Sequence, residues 1–373
     1  MNFDALTRYL DFLPSMGIPG CDMIVCLNHE PIYRHMTGEG RPGQPMQGNE
    51  TYWLYSATKV FTMTAGMQLI EKGLLKLEDP VSKYLPEFAE LTVLDGEEVR
   101  PASTVMTIEH LMSMQGGLDY ELNTPAIRAV HKQYGEKVTT RQLVSALAKQ
   151  PLHFDPGTHL RYSLCHDVMA AVIEVASGMS FSEYVNENIV QPLGMKTMTF
   201  HPTQAEFDRI AACYQWNKHE KPEPRTPLRN IYVLAPHYES GGAGLLGDLE
   251  SYILLTDALA NDGVGRSGAR ILTRESIDEM RRDRLKPDSK KDFDEMGKVG
   301  YSYGLGVRTL VDDSLSRSPI GEFGWDGAAG AWTMIDVDHH LAAFYIQHVH
   351  NCGRAFSEVH PTIRNLIYEG LDA

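Results

Sequence analysis

An α+β protein with an antiparallel sheet flanked by helices is what the sequence predicts, and three observations predict it. Strand-like runs gather at both ends of the chain around a helical middle. Those strands lie close in sequence and are joined by short turns, which favours antiparallel pairing. The 373 residues, 43% hydrophobic and 22% charged, are enough to bury a sizeable core, and the composition is globular.

The elements follow in order. Asn2 to Leu13 carries apolar residues at Leu6, Tyr9, Leu10 and Leu13, a helical period stopped by Pro14 and Gly17. Asp22 to Leu27 and Pro31 to Met36 read as strands with a hairpin turn at Asn28-His29-Glu30. A Gly/Pro-rich loop is expected over Gly38 to Gly48, then helix formers from Ser56 to Lys72 with a stop at Gly73. Thr107 suits an N-cap before Ile108 to Met114, and helical spacing recurs over Thr140 to Lys149 and Asp167 to Ala176, ended by Gly178.

Further helices are expected at Leu249 to Ala260 and Thr273 to Arg282. The charged stretch Lys286 to Lys298 reads as a solvated loop. Gly304 to Leu310, Ala331 to Ile335 and Leu341 to Gln347 are β-like, and a helix near Pro361 to Glu369 comes last. The expected organisation is a sheet domain built from residues 1–79 and 247–373, with a mostly helical domain at 80–246 and the active site between them.

Charge and cysteines narrow the function. The formal net charge of −15 repels phosphate backbones and argues against nucleic-acid or anionic-membrane partners. The first residues include Asp4 and Asp11 and do not read as a signal peptide, and no apolar run reaches the length of a membrane helix, so a cytoplasmic location is expected. Five scattered cysteines (Cys21, Cys26, Cys165, Cys213, Cys352) suit reduced core thiols better than a disulfide framework.

Ser56-Ala57-Thr58-Lys59 is the most informative tetrapeptide. A serine hydroxyl needs a base to become nucleophilic, and on a helix positions i and i+3 share a face, so Lys59 would lie beside Ser56. A desolvated lysine is neutral near pH 7 and can take the proton. The tetrapeptide alone is weak, since an N-cap serine with a surface lysine has the same pattern. Its context strengthens it. Pro156-Gly157-Thr158 precedes Tyr162-Ser163-Leu164, and Phe323-Gly324-Trp325-Asp326-Gly327-Ala328 precedes a β-run, where small residues let backbone N–H groups approach a substrate carbonyl.

These motifs resemble those of the serine hydrolases related to class C β-lactamases, D-Ala-D-Ala carboxypeptidases (penicillin-binding-protein-like) and family VIII carboxylesterases. Further landmarks are Asp79-Pro80-Val81, Tyr84-Leu85-Pro86, Thr107 to Met112, Gly117-Leu118, Pro192-Leu193-Gly194-Met195 and Gly241 to Asp248. The resemblance implies a β-lactamase/transpeptidase-like fold and a covalent acyl-enzyme on Ser56. It makes Lys59 the base, Tyr162 the second proton carrier, and the backbone N–H groups of Ser56 and Ala328 the oxyanion hole. Trp325, Gly327 and Tyr120 are expected to bind substrate, a small ester or amide, with no metal or organic cofactor. Two departures, Leu164 for the asparagine of Tyr-x-Asn and Trp325 for the strand's Lys or His, match the esterase branch and small neutral esters. Other activities of that family, and a non-catalytic binding protein with the same fold, are the alternatives.

Three features are set aside. Gly242 to Gly247 fits G-x-G-x-x-G but is not fed by a strand, so tight packing explains it better than a dinucleotide site. His348 and His350 with Cys352 find no further ligands and read as a solvated strand end rather than a metal site. Cys165 is expected to be a packed thiol, while Arg354 could supply a substitute cation near the acyl site.

Overall fold

A computed structural model describes residues 1–219, 221–225 and 229–373. Its main sheet has eight strands, ordered Tyr301–Tyr303, Arg308–Leu310, Phe323–Gly324, Trp332–Asp336, Leu341–Gln347, Gly20–Leu27, Glu30–Arg41 and Gln44–Pro45. Every pairing in it is antiparallel, and Ile24 of the strand Gly20–Leu27 faces Phe344 on one side and Arg34 on the other. The turn between Gly20–Leu27 and its partner puts Asn28 and His29 at φ 48° and 70°, the left-handed pair that matches hairpin twist. The class is α+β, as the run order predicts.

Both faces of the sheet are covered. On one, the helix Asp4–Phe12 buries Leu6 and Leu10 beside Ile363 and Ile367 of the last helix, His360–Asp372. On the other lies Leu249–Ala260, where Tyr252 stacks on Phe344 with ring centroids 4.1 Å apart. Behind it Thr58–Glu71 is buried all round from Thr58 to Leu69, and packs on the helix Cys165–Ser177. A helix without a wet face has no amphipathic stripe, which is why its sequence shows helix formers but no period.

Three expectations are corrected. The glycine-rich stretch after Met36 remains strand as far as Arg41, because Gly38 and Gly20 let two backbones touch. A Cβ on Gly38 would lie 2.1 Å from Pro19 O, and one on Gly20 2.3 Å from Glu39 O. The charged stretch after Lys286 contains the helix Pro287–Asp294, whose Phe293 is fully buried against Tyr303; one apolar anchor per helix leaves no period to read. His348 and His350 are buried beneath Tyr52 and Tyr55, not solvated, because the strand end is roofed by residues 51–57. The helix Pro125–Tyr134, capped by Thr124, had no counterpart in the sequence reading.

Candidate active site

A short strand, Thr51–Trp53, runs into a 3₁₀ turn at Tyr55–Ala57 and then into the helix Thr58–Glu71. Tyr55 holds φ 47°, a left-handed conformation uncommon for a bulky residue. It is kept there by Leu54, whose N–H bonds Leu245 O at 3.0 Å, and by edge-on packing of its ring on His350. The resulting sharp bend lifts Ser56 to the floor of a cleft. One turn on, the wholly buried Lys59 brings Nζ to 3.2 Å from Ser56 Oγ, 2.9 Å from Tyr120 Oη and 2.6 Å from Gly242 O.

Burial dominates the electrostatics of Lys59 and pulls its pKa down to about 7, with Asp167 opposing the shift. Asp167, on the helix Cys165–Ser177, is itself fully buried and accepts hydrogen bonds from Tyr238 Oη and Ser240 Oγ, each at 2.6 Å. These bonds hold the segment that offers Gly242 O to Lys59. A Cβ on Gly242 would sit 2.6 Å from Asp167 Oδ2 and 3.1 Å from Tyr120 Oη, so only glycine fits there.

Tyr162 comes from the loop just before Cys165–Ser177. Its Oη accepts a hydrogen bond from Trp325 Nε1 at 2.9 Å, and Lys59 Nζ lies 4.6 Å from its ring centroid. Burial pushes its phenol well up, against hydrogen bonds with Ser56 and Trp325. Tyr162 is therefore a protonated phenol at neutral pH, whereas Lys59 is poised to change charge.

Ser56, Tyr120, Tyr162, Tyr232, Trp325 and Ala328 line a cleft of about 540 Å3. Gly327 fixes the wall: its N–H bonds Ala331 O at 2.8 Å, and a Cβ on it would lie 2.5 Å from Leu54 O. The expected site residues are thus brought together, but Tyr120 also bonds Lys59, a role its sequence position did not suggest. Leu164 is buried and takes no part in the cleft wall, its N–H bonding Asp119 O.

Tyr232, Gly242 and Lys298 belong to this site and were not found from sequence. Gly242 lies in the glycine-rich run that had been assigned to packing, and Lys298 at the end of a charged stretch whose other members are mostly wet. Arg354 is not the substitute cation: it reaches Met16 O, Glu358 and the Trp216 ring. Burial pushes the Cys165 thiol up to about 11, which keeps it inert. Among the described residues no group of His, Cys, Asp or Glu could hold a metal ion.

The chain matches the family model described as "Beta-lactamase" over residues 6–352. It is 29% identical to the esterase EstB of Burkholderia gladioli, with 85% of this chain and 82% of that protein aligned. A solved structure described as "EstCE1, a hydrolase with promiscuous acyltransferase activity" superposes with a TM-score of 0.78 at 26% identity, covering 98% of this chain and 97% of the other. Simvastatin synthase from Aspergillus terreus superposes with a TM-score of 0.82 at 21% identity, covering 99% and 98%, a likeness of fold.

Proposed function

Because the chain belongs to the beta-lactamase family, a family with esterase and acyltransferase relatives, we propose that it is a serine hydrolase that cleaves small carboxylic esters through an acyl-enzyme on Ser56. The observation that carries this is the coordination of Lys59. A neutral amine has two N–H bonds and one lone pair. Gly242 O and Tyr120 Oη take the two hydrogens, which leaves the lone pair for the Ser56 hydroxyl at 3.2 Å.

In this reading Ser56 Oγ attacks the ester carbonyl as its proton passes to Lys59. The carbonyl oxygen charges up between the backbone N–H groups of Ser56 and Ala328. Tyr162 gives its proton to the departing alkoxide and is restored by the proton Lys59 took. Water then attacks the acyl-enzyme, loses a proton to the same pair, and Ser56 leaves with one. Trp325 steadies Tyr162 through its N–H and offers an apolar wall to the ester. An alcohol entering in place of water would make the same site an acyltransferase, which the description of EstCE1 favours as the second reading.

A fluorophosphonate probe followed by intact-mass measurement tests the nucleophile. One adduct is expected on the native chain and none on Ser56→Ala, whose kcat falls by ~10³ or more when the covalent route is lost. An adduct on Ser56→Ala assigns the chemistry elsewhere. Substrate class is tested by turnover of 4-nitrophenyl butyrate against nitrocefin. Trp325 gives its one N–H to Tyr162 and so offers a bound β-lactam no further polar contact, a loss of about 1.5 kcal/mol and hence ~10-fold in favour of the ester. Equal or faster nitrocefin turnover makes the chain a lactamase.

A further inference from the structure

Next to the catalytic cleft lies a second cavity of about 250 Å3. The two share Gly297, Lys298, Asp326, Phe356 and Ser357 in their walls, so little more than the Lys298–Asp326 ion pair and the Phe356–Ser357 rim separates them. Phe356 and Ser357 ride on a π-helical turn, Ala355–Val359, a widened geometry frequent at functional sites.

The wall of this chamber carries more positive than negative side chains. Lys298 and Arg308 share one carboxylate, Asp326, with Arg308 Nη1 at 2.8 Å from it. Behind Arg308, Glu322 stands 3.7 Å away. The buried Arg364 guanidinium donates to neutral oxygens, Tyr301 Oη and Leu315 O at 3.0 Å and Asn365 Oδ1 at 3.3 Å. His360, also on the wall, is held neutral because burial pushes it down to about 3. Three cations, Lys298, Arg308 and Arg364, thus line the chamber beside a single carboxylate, Asp326, with the buried Glu322 and Asp336 outside its wall, in a chain whose formal net charge is −15. Buried positive charge facing a cavity is costly, and an anion held against that wall would relieve it. The position fits a substrate group, since the Lys298 ammonium lies 5.7 Å from the Trp325 ring centroid and 5.0 Å from that of Phe356. Trp325 in turn bonds Tyr162.

We propose that the chamber beside Trp325 is an anion subsite, and that the esters this chain cleaves carry a carboxylate received by Lys298 with Arg308 and Arg364 behind it. This rests on ester cleavage at Ser56 and names the substrate class of that site. It also revises the expectation of neutral substrates, which assumed that Trp325 leaves the acyl site without a cation.

The test compares kcat/KM for matched esters at low ionic strength. Mono-4-nitrophenyl adipate against 4-nitrophenyl hexanoate places the charge on the acyl side, and 3-carboxyphenyl butyrate against phenyl butyrate places it on the alcohol side. In one arm the anionic ester is expected to be favoured at least about tenfold, the scale of one charge-assisted hydrogen bond. That ratio should fall towards unity in Lys298→Met. Ser357→Asp, an exposed change on the shared rim that puts a like charge at the entrance, should lower it as well. Turnover of the neutral esters with no anionic preference in either arm overturns the subsite and keeps the esterase reading. A preference that survives both substitutions also overturns it. Absence of turnover on all four esters overturns both.

Discussion

At the scale of single residues, the fold sets two pKa values apart. Lys59 and Tyr162 are both desolvated, but burial disfavours charge, so it lowers the lysine to about 7 and raises the phenol. In the proposed mechanism the base is therefore available at neutral pH while the acid keeps its proton. The sign of the pH dependence follows: kcat/KM for a neutral ester should fall about tenfold per pH unit below pH 7, as Lys59 takes up a proton and loses its lone pair. A profile flat down to pH 5 assigns the base to another group. The same shift affects stability. The unfolded chain holds the lysine proton up to the ordinary value of 10.5, the folded chain only to about 7. Lys59 burial therefore weighs fully against folding below pH 7, and that penalty fades as pH rises from 7 to 10.5.

Elements position these groups through close backbone contact. The bend at Tyr55, the turn at Gly242 and the wall at Gly327 come from three separate parts of the chain, and each uses a conformation or approach that ordinary residues resist. Gly327 is the most exposed to test. Its Cβ would meet the carbonyl of Leu54, two residues before Ser56, so Gly327→Ala must push the Ala328 wall away from Ser56. A displacement near 1 Å is expected to lower kcat/KM by ~10². Overpacking should also cost about 1–3 kcal/mol in stability. A melting temperature and kcat/KM both unchanged would mean that the wall does not set the reacting geometry. The Pro287–Asp294 helix shows the same dependence: Phe293 anchors it, and the chain beyond it delivers Lys298 into the site.

On the scale of the whole molecule, the sheet closes only when both ends of the chain are present. Gly20–Leu27 sits between Leu341–Gln347 and Glu30–Arg41, and the first and last helices pack together over it. Removing residues 360–373 would uncover Leu6, Leu10, Met23 and Val25 and discard Ile363 and Ile367. At about 1.5–3 kcal/mol per buried side chain, the loss is comparable with the ~5–15 kcal/mol by which domains are stable. The truncated chain is expected to show no cooperative melt by circular dichroism. A cooperative transition within a few degrees of the full chain would mean that the last helix is an accessory.

Local chemistry was legible in the sequence. The helix Leu249–Ala260, the strand Leu341–Gln347, the Asn28-His29 turn and the Ser56–Lys59 spacing all follow from periodicity, caps and i,i+3 geometry, which are properties of neighbouring residues. Tertiary structure alone decided the rest. It made Tyr120 and Gly242 the partners of Lys59, buried His348 and His350, and turned Lys298 from a member of a wet charged run into a cation facing the cleft. The physical reason is that burial and charge pairing depend on what a distant segment brings. Asp326 lies 28 residues from Lys298, and Gly242 lies 183 from Lys59. No local period encodes such distances, whereas desolvation, once the fold has closed, sets the charge state on which the chemistry depends.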